Sequence, residues 1–224
     1  TASNNTAVGR NALGSNTTGA DNTAIGQRAL DACTTGSNNT AGGGNALGEL
    51  TSGGHNTAFG KGALDANTSA SDNTAFGSHS LGANSTGYRN VAVGREAMFS
   101  NTTAIDNTAV GTTALYSNTT GNANTGVGRQ AIYTNTTGSN NTAVGYNALD
   151  DSTTASNNTA VGKSALTATT TGPYNTAVGH EAMEVNTTGT QNVAIGAFAL
   201  DDSTTANGNT AIGYASLSAN TTGT

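Results

Sequence analysis

The chain repeats one pattern of polar and apolar positions every 17 residues. Each repeat follows the consensus Asn-Thr-Ala-Val-Gly-x-x-Ala-Leu-x-x-Asn-Thr-Thr-Gly-x-x, and we number its positions from the opening Asn. Because the repeats follow one another without insertion or deletion, we predict a single continuous array over residues 1–224. The opening Asn occurs thirteen times, at Asn5, Asn22, Asn39, Asn56, Asn73, Asn90, Asn107, Asn124, Asn141, Asn158, Asn175, Asn192 and Asn209.

The positions within the repeat predict strands and turns. The apolar residues do not recur at the helical spacing, and Thr, Val, Asn and Gly at this density disfavour helix. Two short strands are predicted in each repeat, at Thr-Ala-Val and at Ala-Leu-x. Gly occupies position five in all thirteen repeats and suits a turn with positive φ, while Gly or Ala at position fifteen indicates a second corner. The fold class is therefore all-β, a parallel β-solenoid (β-roll) of thirteen 17-residue coils.

Stacked coils would bring identical residues into rows along the solenoid. Coils in register lie about 4.8 Å apart and are joined by backbone hydrogen bonds. The opening Asn row is then expected to form a ladder of amide hydrogen bonds. In the repeat that begins at Asn107, the rows at positions one, three, five, eight and nine are represented by Asn107, Ala109, Gly111, Ala114 and Leu115.

The restriction of positions three and eight to small residues raises the question of which rows face inward. In a strand, Ala at position three points away from Val at position four, and Ala at position eight points away from Leu at position nine. In the first interpretation, Val and Leu fill the interior and the Ala rows pack against another chain. In the alternative, the Ala rows fill a narrow interior and the Val and Leu rows face a partner. Both interpretations argue against a monomer, and we expect a homotrimer.

The composition excludes several kinds of partner. Hydrophobic residues make up 34% and charged residues 9% of the chain, which suggests disorder, but the net charge of −6 is small for a disordered protein. Seven Lys and Arg residues provide no basic surface for nucleic acid. No stretch approaches the length of a membrane span, so no membrane insertion by this segment is expected.

Two stretches carry a family resemblance. Asn90-Val91-Ala92-Val93-Gly94 and Asn192-Val193-Ala194-Ile195-Gly196 resemble the head repeat of trimeric autotransporter adhesins. The longer unit that begins at Asn107 resembles the repeat stalks of tail-fibre-like surface proteins. Both resemblances imply a trimeric, extracellular, non-enzymatic fibre on a cell surface or virion that holds or presents an attachment function. The coil period here is longer than in the adhesin heads.

The sequence contains no constellation for catalysis or for a cofactor. No Ser or Thr has a His and a carboxylate at fixed repeat positions, so we expect no enzyme activity and no cofactor. The pairs Asp150-Asp151 and Asp201-Asp202 fall at the same repeat positions and are weak candidates for Ca²⁺ binding. Solvated turn charges are the simpler interpretation.

Two surface features suggest ligands. Phe99, Tyr116 and Tyr133 share position ten in successive repeats and form a candidate patch for a surface glycan, a host receptor or another partner; a stacking ladder that only stabilises the fold is the alternative. Ice-binding β-solenoids use flat Thr ladders, and in one strand orientation positions two and four form an outward pair, although Gly42, Phe59 and Phe76 interrupt the row. The sequence therefore predicts a structural fibre segment, with self-association and possible end-to-end stacking, and a ligand-binding solenoid as the alternative.

Overall fold

The computed structural model describes residues 2–221 and residue 223, and it contains two compact units, Thr1–Thr112 and Thr113–Thr224. In each unit, three-residue strands pair parallel and in register with the strands of the neighbouring coils. The fold class predicted from the sequence, an all-β parallel solenoid, is confirmed. The N-terminal unit contains β1 (Thr6–Val8), β2 (Thr23–Ile25), β3 (Thr40–Gly42), β4 (Thr57–Phe59), β5 (Thr74–Phe76), β6 (Val91–Val93) and β7 (Thr108–Val110). The C-terminal unit contains β8 (Thr125–Val127), β9 (Thr142–Val144), β10 (Thr159–Val161), β11 (Thr176–Val178), β12 (Val193–Ile195) and β13 (Thr210–Ile212).

The turn after each strand requires glycine. In all thirteen coils, the Gly at position five has φ between +125° and +145°. A Cβ on Gly94 would also collide with the carbonyl group of Gly111 in the next coil. Positive φ and close backbone approach together explain why no other residue occurs at this position.

The predicted second strand, Ala-Leu-x, is wrong. Positions six to eleven instead form consecutive turns, as in the third coil, where Ala46 N–H donates to Gly43 O at 3.3 Å and Leu50 N–H donates to Leu47 O at 3.3 Å. The residue at position nine has φ between +50° and +56° in every coil, although it is Leu, Met or Ile. The turns remain part of the stack, because Leu47 N–H also donates to Ala63 O of the next coil at 3.0 Å.

The interior differs from both interpretations of the Ala rows. Between the first and the last coil, positions three, eight and nine are all buried, as shown by Ala109, Ala114 and Leu115, which are each 0% exposed. Val at position four points outward, and Val110 is 36% exposed. The first interpretation was wrong about positions three, four and eight, and the alternative was wrong about position nine. Alternation fails at positions eight and nine because the left-handed conformation at position nine breaks the strand geometry, so both side chains turn inward.

The Ala rows therefore do not require a second chain. The turn segments of the solenoid cover them: a Cβ at Gly126, which replaces Ala at position three, would lie 3.2 Å from Ala131 O of the same coil and 3.4 Å from the Leu115 side chain of the preceding coil. This space is too small for a larger side chain. The argument for a homotrimer from these rows is removed by the structure, and the trimer stays a prediction that depends on the resemblance.

Candidate functional site

The position-one Asn side chains form a buried amide ladder in each unit. Asn56 Nδ2 donates to Ala70 O across its own coil at 2.9 Å and to Asn39 Oδ1 of the preceding coil at 3.1 Å. Asn56 Oδ1 in turn accepts a bond from the backbone N–H of Asn73 at 3.1 Å. Asn107 has the same role, since its Nδ2 and backbone N–H donate to Asn90 Oδ1 at 3.3 and 3.0 Å. A position-one Asn thus bonds to position fifteen of its own coil and to the Asn of the preceding coil.

A second buried ladder occupies position twelve. Asn101 Nδ2 donates to Asn84 Oδ1 at 2.7 Å, and Asn135 Nδ2 donates to Asn118 Oδ1 at 2.8 Å. The ladder is interrupted where Ser152 replaces Asn, because Asn135 Oδ1 and Ser152 Oγ are both buried and have no hydrogen-bond partner in the protein. The same defect recurs at Asn186 and Ser203. The repeat alignment shows these Ser residues, but their burial was not predicted.

Hydroxyl groups add an outer ladder at position thirteen. Thr34 Oγ1 donates to Thr51 O of the next coil at 3.1 Å, and Thr51 Oγ1 donates to Thr68 O at 2.8 Å. The hydroxyl groups at position thirteen therefore reinforce the stack, while Thr18, Thr35 and the equivalent described residues at position fourteen are exposed to solvent.

The acidic pairs lie in the turns of the C-terminal unit. Asp151 and Asp202 are exposed, while Asp150 and Asp201 are half-buried and each has a buried Oδ1 without a hydrogen-bond partner in the protein. Burial and, second, the negative charge of Asp151 raise the pKa of Asp150 to about 6. Asp150 and Asp201 lie three coils apart, so they do not share a site. In the described residues 2–221 and 223, no three His, Cys, Asp or Glu side chains are grouped to hold a metal ion.

The aromatic candidates fall in both units. Tyr116 and Tyr133 of the C-terminal unit stack with ring centroids 5.3 Å apart and planes inclined by 22°. In the N-terminal unit, Phe99 contacts His79 edge to face at 6.4 Å. The tyrosine pair provides an aromatic surface that is half-exposed to solvent.

The outward side chains of β1–β7 form an uncharged surface, which we call the β-face. It comprises positions two and four of the seven coils of the N-terminal unit, occupied by Thr or Val at position two and by Val, Ile, Phe or Gly at position four. Its large apolar side chains are 36–58% exposed: Val8, Ile25, Phe59, Phe76, Val93 and Val110. The ring of Phe59 covers Gly42 and stacks on Phe76 at 5.2 Å, so the apolar row has no gap at the glycine.

The sequence left open whether the side chains at position four face the interior or the outside. In the structure, they face outward. No described helix is long and apolar enough to span a membrane. Comparisons with protein-family models, curated proteins and solved structures found no match to this chain.

Proposed function

We propose that this chain is a structural, non-enzymatic segment of an extracellular fibre, adhesin or tail-fibre-like appendage. In this role, its stacked coils form a stiff rod that supports surface attachment or assembles into a longer filament. The observation that supports this proposal most strongly is the buried ladder of position-one Asn side chains, which repeats the same interior bonding in coil after coil of each unit. The residues that vary between repeats lie mainly at turn positions that are exposed or half-buried, outside the position-one ladder.

A rod that acts as a spacer should tolerate a change in length only in whole coils. Removal of residues 56–106, which are three complete coils, should leave a folded protein whose maximum dimension is shorter by about 14 Å. Removal of residues 56–64 disrupts the register and should abolish folding. Small-angle scattering and circular dichroism on both variants test the proposal. A folded out-of-phase variant, or an unchanged maximum dimension in the in-phase variant, would contradict it.

A ligand-binding role is the second candidate, and the outward orientation of Thr and Val favours an ice-binding surface. In the C-terminal unit, positions two and four of β8–β13 carry only Thr, Val and Ile. Strand pairing fixes the spacing of these hydroxyl and methyl groups along the unit. Thermal hysteresis in a dilute sample would support this function, and a freezing point equal to the melting point would remove it.

Glycan binding at the stacked tyrosine rings is the other form of a ligand-binding role. It requires that the rings contact the sugar, whereas a purely structural stack does not. Binding on a glycan array that is lost in Tyr133→Ala, with an unchanged melting temperature, would support this function. Retained binding in that variant would exclude the stack as the glycan site.

A further inference from the structure

The β-face is bordered by two rows of opposite charge. Position seventeen of one repeat leads directly into the opening Asn and the β-strand of the next repeat, and position six follows that strand after the Gly. Positions seventeen and six therefore lie on opposite edges of the β-face. In the N-terminal unit, position six carries three cations and no acid: Arg10, Lys61 and Arg95. Position seventeen carries Asp21, Asp72 and Asp106, together with Arg89, whose Nε forms an ion pair with Asp106 Oδ1 at 2.7 Å. All three cations and all three Asp residues are exposed.

The two rows have identical spacing. Lys61 lies three coils after Arg10, and Arg95 lies two coils after Lys61. Each Asp follows its cation by eleven residues, so the acidic row repeats the same intervals of three coils and two coils. A surface that carries one such row on each edge is complementary to itself when the edges are exchanged.

We propose that the β-face binds the β-face of a second copy of this chain, with the two solenoids parallel and in register. A two-fold axis along the solenoid exchanges the edges, so position six of one copy faces position seventeen of the other. Each cation is then offset by one coil, about 4.8 Å along the axis, from an Asp of the second copy, and extended side chains from both edges span the gap of about 10 Å between the two faces. Arg95 also faces Arg89 of the second copy, and the charge of Arg89 is paired with Asp106. An antiparallel pair would instead place cations opposite cations.

The chemistry of the β-face suits this partner. None of its fourteen positions is charged, and its apolar row is broader than the isolated surface residues of a monomer. Two such sheets pack face to face about 10 Å apart. Only a partner with the same coil spacing can keep every row in contact along the unit, and a second copy has that spacing. This pairing does not depend on whether the chain serves as a fibre.

Sedimentation equilibrium of the whole chain tests the proposal, with an expected mass of about twice 21.9 kDa. Val93→Lys places a charge in the β-face and should give a monomer with an unchanged circular dichroism spectrum. Val185→Lys is the matched control, because both valines are 37% exposed and Val185 lies outside the face. A monomeric or trimeric parent chain, or equal dissociation in both variants, would overturn the proposal.

Charge-reversal variants test the two charged edges while the apolar side chains of the β-face stay unchanged. Lys61→Glu should weaken association by on the order of tenfold at low salt, and addition of Asp72→Lys to the same chain should restore it. A mixture of Thr23→Cys and Ile25→Cys chains should form disulfide-linked dimers on mild oxidation and either variant alone should not, because the two-fold axis places position two of one copy opposite position four of the other. Failure of the charge exchange to restore association, or absence of the disulfide-linked dimer, would contradict the parallel arrangement.

Discussion

The position-one ladder makes a sharp prediction for Asn56→Asp. Asp has nearly the same shape as Asn but replaces the Nδ2 donor with an acceptor. That acceptor would face Ala70 O and Asn39 Oδ1, which now accept bonds at 2.9 and 3.1 Å. Loss of two buried hydrogen bonds at about 1–3 kcal/mol each gives an expected loss of about 2–6 kcal/mol in the free energy of unfolding at pH 7.

The pH dependence of this loss has a defined sign. Burial and the two facing oxygens raise the pKa of the new carboxyl in the folded state above its unfolded value of about 3.9. Between the two pKa values, the folded protein binds more protons than the unfolded chain, so stability falls as pH rises, by up to about 1.4 kcal/mol per pH unit. Below about pH 4, the protonated carboxyl can donate to Ala70 O, and most of the stability should return.

Asn38→Asp provides the matched control, because Asn38 is exposed at position seventeen, where other coils of the same unit carry Asp. Urea denaturation followed by circular dichroism at pH 4 and pH 7 compares the two variants. If they differ by less than about 0.5 kcal/mol at pH 7, the ladder does not stabilise the coil and the reasoning is refuted.

Three further variants test the interior and the turns. Ser152→Asn should raise the free energy of unfolding by about 1 kcal/mol, since it supplies the missing partner for Asn135 Oδ1; an unchanged or lower urea midpoint would show that the ladder is not continued. Gly94→Ala should lower the free energy of unfolding by about 3 kcal/mol or more, since a Cβ collides with the Gly111 carbonyl at a φ of +137°, and an unchanged melting temperature would contradict the close approach. Asp150→Asn should stabilise the fold at pH 7 but not below pH 4, because the pKa of Asp150 is raised to about 6 and the folded state therefore loses stability as pH rises towards that value; equal effects at both pH values would argue against burial of this carboxyl.

The repeat period determined much of what could be predicted. An invariant 17-residue spacing requires stacked coils, and the invariant Gly at position five indicated a turn with positive φ. Both features depend on strict residue requirements, which are visible in the sequence because thirteen copies can be compared.

The turn segment could not be predicted in the same way. Position seven also has positive φ, yet it is occupied by residues as different as Arg28, Glu96 and Phe198. Only four of the thirteen residues at position seven are Gly or Asn, so the sequence carries a weak local signal for the left-handed conformation. The same holds for Leu13 and its equivalents at position nine, whose apolar character resembles that of a strand. The strand alternation rule was therefore applied to a segment that does not follow it.

Hydrogen exchange of individual backbone amides tests the central claim, that each unit is a stack of coils bonded at fixed repeat positions. The structure predicts slow exchange that recurs every 17 residues and includes turn amides such as Leu47 and Leu64, which donate to the next coil at 3.0 Å. Amides without such partners should exchange quickly in every repeat. Protection confined to the three-residue strands, or protection without the 17-residue period, would contradict the stacked-coil account.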